Sequence, residues 1–131
     1  MKVLHEIDEL RVYCGPAALM AITGKRLTEV RGIINQARGR SQNSGVCGLA
    51  HKHLEQAMTL MGIKYSKVTP DKIKLAKLML QKDTRYIITV TGHYIAYLNG
   101  TVVDNHTRFG TTMDECKWRN KTVKHYYQLA E

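Results

Sequence analysis

The chain has 131 residues, with 20 Lys and Arg against 11 Asp and Glu and a formal net charge of +9. A composition 44% hydrophobic and 24% charged excludes a disordered chain, and this length buries a core without staples, so one domain over 1–131 is expected. No apolar run approaches the ~18 residues of a membrane span, and "MKVLHEIDEL" lacks the apolar core and cleavage site of a signal peptide. The expectation is therefore a protein of the cytoplasm, of its own cell or of a host cell, with no membrane partner.

Along the chain, "VYCGPAALMAITG" (12–24) comes first. It reads as a short apolar helix over 14–23, with Pro16 in the first turn, where its missing N–H does no harm, and Gly24 as the stop. A second helix follows Thr28 as N-cap, with Val30, Ile33, Ile34 and Ala37 facing inward. "RGRSQNSGVCG" (38–48) is a loop. A third helix over 49–61 carries Leu54, Ala57, Met58 and Met61 at helical spacing and stops at Gly62. Strands then take over. "IKYSKV" (63–68) alternates. Thr69-Pro70-Asp71 has the form of a helix start, and Ile73, Leu75, Leu78 and Met79 continue that helix towards Gln81. "RYIITVT" (85–91) is β-branched and aromatic, hence a strand. "HYIAYL" and "TVVDNH" flank Asn99-Gly100, a strong hairpin signal. "VKHYYQL" (123–129) closes the sheet. Helices first and a mostly antiparallel sheet afterwards predict an α+β domain.

The three cysteines are Cys14, Cys47 and Cys116. An odd count at wide spacing suggests neither a disulfide framework nor a zinc pattern, so no metal and no cofactor is expected. Cys14 stands apart because it opens a helix, whose positive end stabilises a thiolate. Gly15 beside it leaves the sulfur approachable. With a two-residue Asn99-Gly100 turn, Leu98 faces Thr101, Tyr97 faces Val102, Ile95 faces Asp104 and His93 faces His106. His93 and Asp104 then become diagonal neighbours on one face, a base and its orienting carboxylate. This is the Cys–His–acid logic of nucleophilic catalysis. A bulge in the hairpin would replace Asp104 by Asn105. His51 and His53, two apart on a helix, share no face and read as surface histidines. Cys47 and Cys116 have no evident base. Tyr94, Tyr97, Tyr126 and Tyr127 read as packing on the sheet, and His106 as a strand-end polar residue beside the pocket.

"YCGPAAL", "GLAHKHLEQAMTLMGIKY" and "RYIITVTGHYIAYLNGTVVDNH" together resemble papain-like cysteine peptidases. The likeness is closest to the domains that trim double-glycine leaders in bacteriocin exporters and to their free-standing relatives. It spans Tyr13 to His106 in order. It implies a papain-like fold and a thiol protease acting on a peptide or protein substrate, with Cys14 as nucleophile, His93 as general base and acid, and Asp104 as orienting residue. The family's upstream glutamine, which binds the oxyanion, corresponds here to Asp8, which when ionised cannot donate a hydrogen bond. Arg11, Gln42 and Asn43 are the substitute donors within reach of the reading. No transporter domain accompanies these motifs, so an exporter role does not carry over. Two other functions fit the same residues: an inactive papain-like module that binds a protein or nucleic acid, and an acyl-transfer or deamidating relative.

The basic excess gathers in "KYSKVTPDKIKLAKLMLQKD" and "KWRNKTVK". Without a nucleic-acid motif or interleaved aromatics it reads as a solubilising surface that binds polyanions weakly.

Overall fold

The computed structural model describes residues 12–130. They form three helices, α1 (Cys14–Thr23), α2 (Leu27–Arg38) and α3 (His51–Leu60), and six strands. The strands are β1 (Tyr65–Val68), β2 (Tyr86–Val90), β3 (His93–Leu98), β4 (Thr101–Val103), β5 (Thr111–Thr112) and β6 (Val123–Leu129). They pair antiparallel in the order β1-β6-β2-β3-β4-β5. The α+β class expected from the sequence is what the chain forms.

The sheet separates two apolar layers. Ile87, Tyr94, Ala96, Val103, Tyr127 and Leu129 pack against the helices. Tyr86, Ile88, Val90, Ile95 and Val102 point to the opposite face, as strand alternation requires, and a register shift opposite Thr89 and Val90 puts Val123 on that face too. Helix α1 lies innermost: every residue from Gly15 to Ile22 is buried, which explains why its sequence is apolar all round rather than along one stripe. Gly24 ends it at φ 74°, returning its N–H to the Met20 carbonyl. Gly15 lets α1 approach the loop before α3. A Cβ there would lie 2.7 Å from Leu49 Cδ2 and 3.0 Å from Leu49 Cβ, and the Leu49 carbonyl is itself held by the Tyr94 hydroxyl at 2.8 Å. Gly15→Ala should therefore destabilise the fold by about 1–3 kcal/mol through overpacking. A shift of the urea midpoint measures it; an unchanged midpoint would mean that Leu49 moves freely.

The second sheet face explains where the expected helix from Thr69 fails. Lys72 takes φ 48°, which stops helix propagation. Lys74 bridges to Thr122 instead, and the Leu75 and Ala76 N–H groups donate to the Lys121 and Arg119 carbonyls. Only a 3₁₀ turn remains, Leu75–Lys77. Ile73, Leu75, Leu78 and Leu80 cover the sheet, while Met79 points to solvent at 92% exposure. Burying the face opposite the helices has overridden local propensity.

Other differences are smaller. Helix α2 begins one residue before Thr28, with Arg26 at its N-cap position and no side-chain cap. β5 and the 3₁₀ turn Met113–Glu115 follow the hairpin without having been expected. β6 does not close the sheet; it lies between β1 and β2. Among the described residues no helix is long and apolar enough to cross a membrane.

Candidate active site

The β3–β4 register is the one expected from a two-residue turn: Leu98 pairs with Thr101, Tyr97 with Val102 and Ala96 with Val103. The ladder stops there because Asp104 turns its side chain onto the chain ahead. Its Oδ1 accepts from the His106 N–H at 2.9 Å, the Thr107 N–H at 2.6 Å and the Thr107 hydroxyl at 2.6 Å, a local side-chain closure that competes with strand pairing. Asp104 and His106 therefore do not continue the strand opposite Ile95 and His93.

Asp104 still reaches His93. Its Oδ2 lies 2.8 Å from His93 Nε2. The Cys14 thiol lies close enough to His93 for each group to shift the pKa of the other. With Nε2 committed to the carboxylate, Nδ1 is the ring nitrogen left for the sulfur. Residues separated by most of the chain thus form one line: Asp104, His93, Cys14. Asn105 does not take part; its Oδ1 is buried without a hydrogen-bond partner among the described residues.

The electrostatics follow from this line. Burial would raise the Asp104 pKa, but hydrogen bonds from His93 and Thr107 overcome it and hold the carboxyl well below its ordinary range. Burial disfavours the His93 imidazolium, yet the bonds to Asp104 and Cys14 push its pKa up to about 9. Burial likewise opposes the Cys14 thiolate. The His93 ring and the backbone N–H groups of Tyr94 and Gly15 outweigh it, so the thiol pKa falls below its ordinary value. The start of α1 adds to this. Its first intrahelical bond runs from the Ala17 N–H to the Tyr13 carbonyl, so the Cys14 and Gly15 N–H groups have no partner within the helix. The shifts in the two partners favour a thiolate–imidazolium pair.

Trp118 completes the site and was not anticipated from the sequence. Its indole stacks on His93 with ring centres 4.4 Å apart, and its Nε1–H donates to Asp104 Oδ2 at 3.1 Å. The ring fixes the imidazole plane and covers the His93–Asp104 bond from solvent. The available signal was that Trp118 is the chain's only tryptophan, a residue seldom left exposed within a basic run. The His106 ring lies 5.8 Å from His93, beside the pocket.

Two of the three candidate oxyanion donors, Gln42 and Asn43, fall among the described residues. Asp8 and Arg11 lie outside the described residues. The Gln42 and Asn43 side chains are exposed. Gln42 is engaged through its carbonyl, which together with that of Ser44 accepts from Asn35 Nδ2 at 3.0 and 2.8 Å and ties the loop to α2.

His51 is not a surface histidine. Its Nδ1 lies 2.7 Å from the Tyr94 hydroxyl and 3.2 Å from His125 Nε2, which meets Thr89 Oγ1 at 3.3 Å. This polar cluster between α3 and the sheet includes the side chain of Tyr94, the residue whose backbone N–H reaches Cys14. Cys116 is buried and Cys47 exposed, and burial raises the Cys116 pKa. Among the described residues no group of three or more His, Cys, Asp or Glu could hold a metal ion. In comparisons with known proteins, no family model matches the sequence and no curated protein matches it.

Proposed function

We propose that the protein is a papain-like cysteine peptidase acting inside a cell. The observation that supports this reading is the His93–Asp104 hydrogen bond beside a cysteine at a helix N-terminus, with His93 and Cys14 shifting each other's pKa. In the reaction so proposed, Cys14 Sγ attacks the scissile carbonyl carbon and the carbonyl π electrons move onto oxygen. The backbone N–H at the start of α1 supplies one donor for that oxyanion. Collapse of the intermediate breaks the C–N bond, and the leaving amine takes the proton from His93 Nδ1. A water then gives its proton to His93 and attacks the thioester, and the sulfur leaves. Asp104 stays ionised throughout and holds the imidazole in place.

Iodoacetamide at mildly acidic pH tests the nucleophile. Cys14 should be alkylated well before the exposed Cys47, and His93→Ala should remove the difference. Labelling of Cys47 as fast as Cys14 would overturn the reading. The second reading, a module that binds without cleaving, is favoured by the exposure of Gln42 and Asn43, the described candidates for binding the oxyanion. It is recognised by fast labelling of Cys14 with no turnover of peptide esters.

A further inference from the structure

The basic residues are not spread evenly over the surface. Residues 72–77, "KIKLAK", and 117–121, "KWRNK", hold six cations and no carboxylate. The fold brings these two segments side by side. The Val123 N–H donates to the Ile73 carbonyl at 2.8 Å, Lys74 bridges to Thr122, and the Leu75 and Ala76 N–H groups donate to Lys121 and Arg119 at 2.9 Å each. Lys72, Lys74, Lys77, Lys117, Arg119 and Lys121 are all exposed. Among the described residues none of them forms an ion pair with a carboxylate. So many like charges repel one another, at a cost to the folded state that an anionic partner would relieve.

The patch runs up to the candidate site. Trp118 lies between Lys117 and Arg119 in the chain, with Lys117 Nζ 4.9 Å from its ring centre, and its indole also stacks on His93 and donates to Asp104. Val123, which anchors the 72–77 segment, pairs with Val90, and Val90 with His93. The basic 117–121 segment thus shares Trp118 with the candidate site.

We propose that this face docks an acidic stretch of polypeptide, and that the substrate is a protein carrying such a stretch close to the bond that is cut. The inference rests on the peptidase reading for the word substrate; the docking itself does not require catalysis. A polypeptide fits better than a nucleic acid because Trp118, the only aromatic of the two segments, is committed to His93 and Asp104 and offers no platform for stacking bases.

The test uses the full chain with Cys14→Ala, so that binding is measured without turnover. The probe is a fluorescein-labelled oligoglutamate of about ten residues, followed by anisotropy across a salt series. Lys74→Glu/Lys77→Glu/Lys121→Glu should weaken binding by about tenfold or more and flatten the salt dependence. Arg26→Glu/Arg40→Glu/Lys52→Glu, with the same net charge but on the helical side, should change it less than about threefold. The Lys74→Gln/Lys77→Gln/Lys121→Gln variant, which adds no negative charge, should lose an intermediate amount and stands in if the reversed variant fails to fold. Equal weakening by both reversed triples would overturn the proposal, because net charge alone would then account for binding. An oligothymidylate of the same length binding about tenfold tighter than the oligoglutamate would overturn it in favour of nucleic acid. Slow Cys14 labelling in the unmodified chain would instead overturn the peptidase reading and leave the docking result standing.

Discussion

Asp104→Asn is expected to lower the rate of Cys14 acylation by a peptide ester by about 10²–10⁴-fold. The carboxylate accepts from His93 and Trp118 on Oδ2 and from His106 and Thr107 on Oδ1. An amide can keep the Oδ1 partners, but it places an NH₂ against two donors, His93 Nε2–H and Trp118 Nε1–H. The relief available to the imidazole is to move its proton to Nδ1, which leaves Nε2 as an acceptor for the amide. Nδ1 then faces the sulfur as a donor at all times and no longer takes its proton. The fold should persist while the chemistry fails, which distinguishes Asp104→Asn from Asp104→Ala, where several buried donors lose their acceptor and stability falls as well. Asn105→Ala should change the rate by less than about threefold, since its Oδ1 has no partner to lose among the described residues. The reverse ranking, measured by burst kinetics with an activated ester, would make Asn105 the orienting residue.

Acidification should weaken the fold before any carboxylate is protonated. The Tyr94 hydroxyl donates to the Leu49 carbonyl, so it accepts from His51 Nδ1–H; the Thr89 hydroxyl then donates to His125 Nε2. Both imidazoles are neutral in this arrangement. A proton on His125 Nε2 would face the donor on His51. Burial, with His51 next, brings the His125 pKa down to about 4; Lys67 and Lys124 lower it further and Glu55 opposes. The folded value lies below the ordinary 6.5, so the unfolded chain binds more protons over that interval. The stability contributed is full above pH 6.5 and is lost as pH falls through the interval towards 4. Asp104 and Glu55, whose pKa values are also lowered, lose their contribution only at lower pH. His93, whose pKa is raised, contributes fully below 6.5 and loses its contribution only as pH rises to about 9. The step between pH 6.5 and 4.5 therefore belongs to the His51–His125 cluster, at about 1–3 kcal/mol. Urea midpoints at the two pH values should differ accordingly, and His125→Gln should abolish most of the difference. A step of equal size in that variant would assign the acid sensitivity elsewhere.

The parts of this fold that could be read in advance are those whose pattern is local. Helix α1 is delimited by Pro16 and Gly24, and the Asn99-Gly100 turn sets the β3–β4 register as far as Val103. The segment after Thr69 misled for a definite reason: its cap, proline and apolar spacing are true helix signals. They lose to a sheet face that needs cover and to backbone partners in 119–123, more than forty positions later in the chain. The His51–His125 contact was invisible for the same reason, and Trp118 gave no sign beyond being the sole tryptophan, since each depends on which distant segment folds across it. Asp104 was found, but through a ladder that ends one residue before it; its own turn-forming side chain brings it to His93.

The position of β6 between β1 and β2 has a consequence for biosynthesis. A growing polypeptide leaves the ribosome with α1, β2, β3 and β4 already in hand, yet β2 lacks its second neighbour and β1 has none until 123–129 emerge. Trp118, which covers the imidazole, arrives only shortly before. Long-range pairing of this kind is slow and late, and the thiol at the start of α1 is born well ahead of the surroundings that organise it. Strand order alone thus delays completion of the sheet, and the cover that Trp118 gives His93, until nearly the whole chain has emerged.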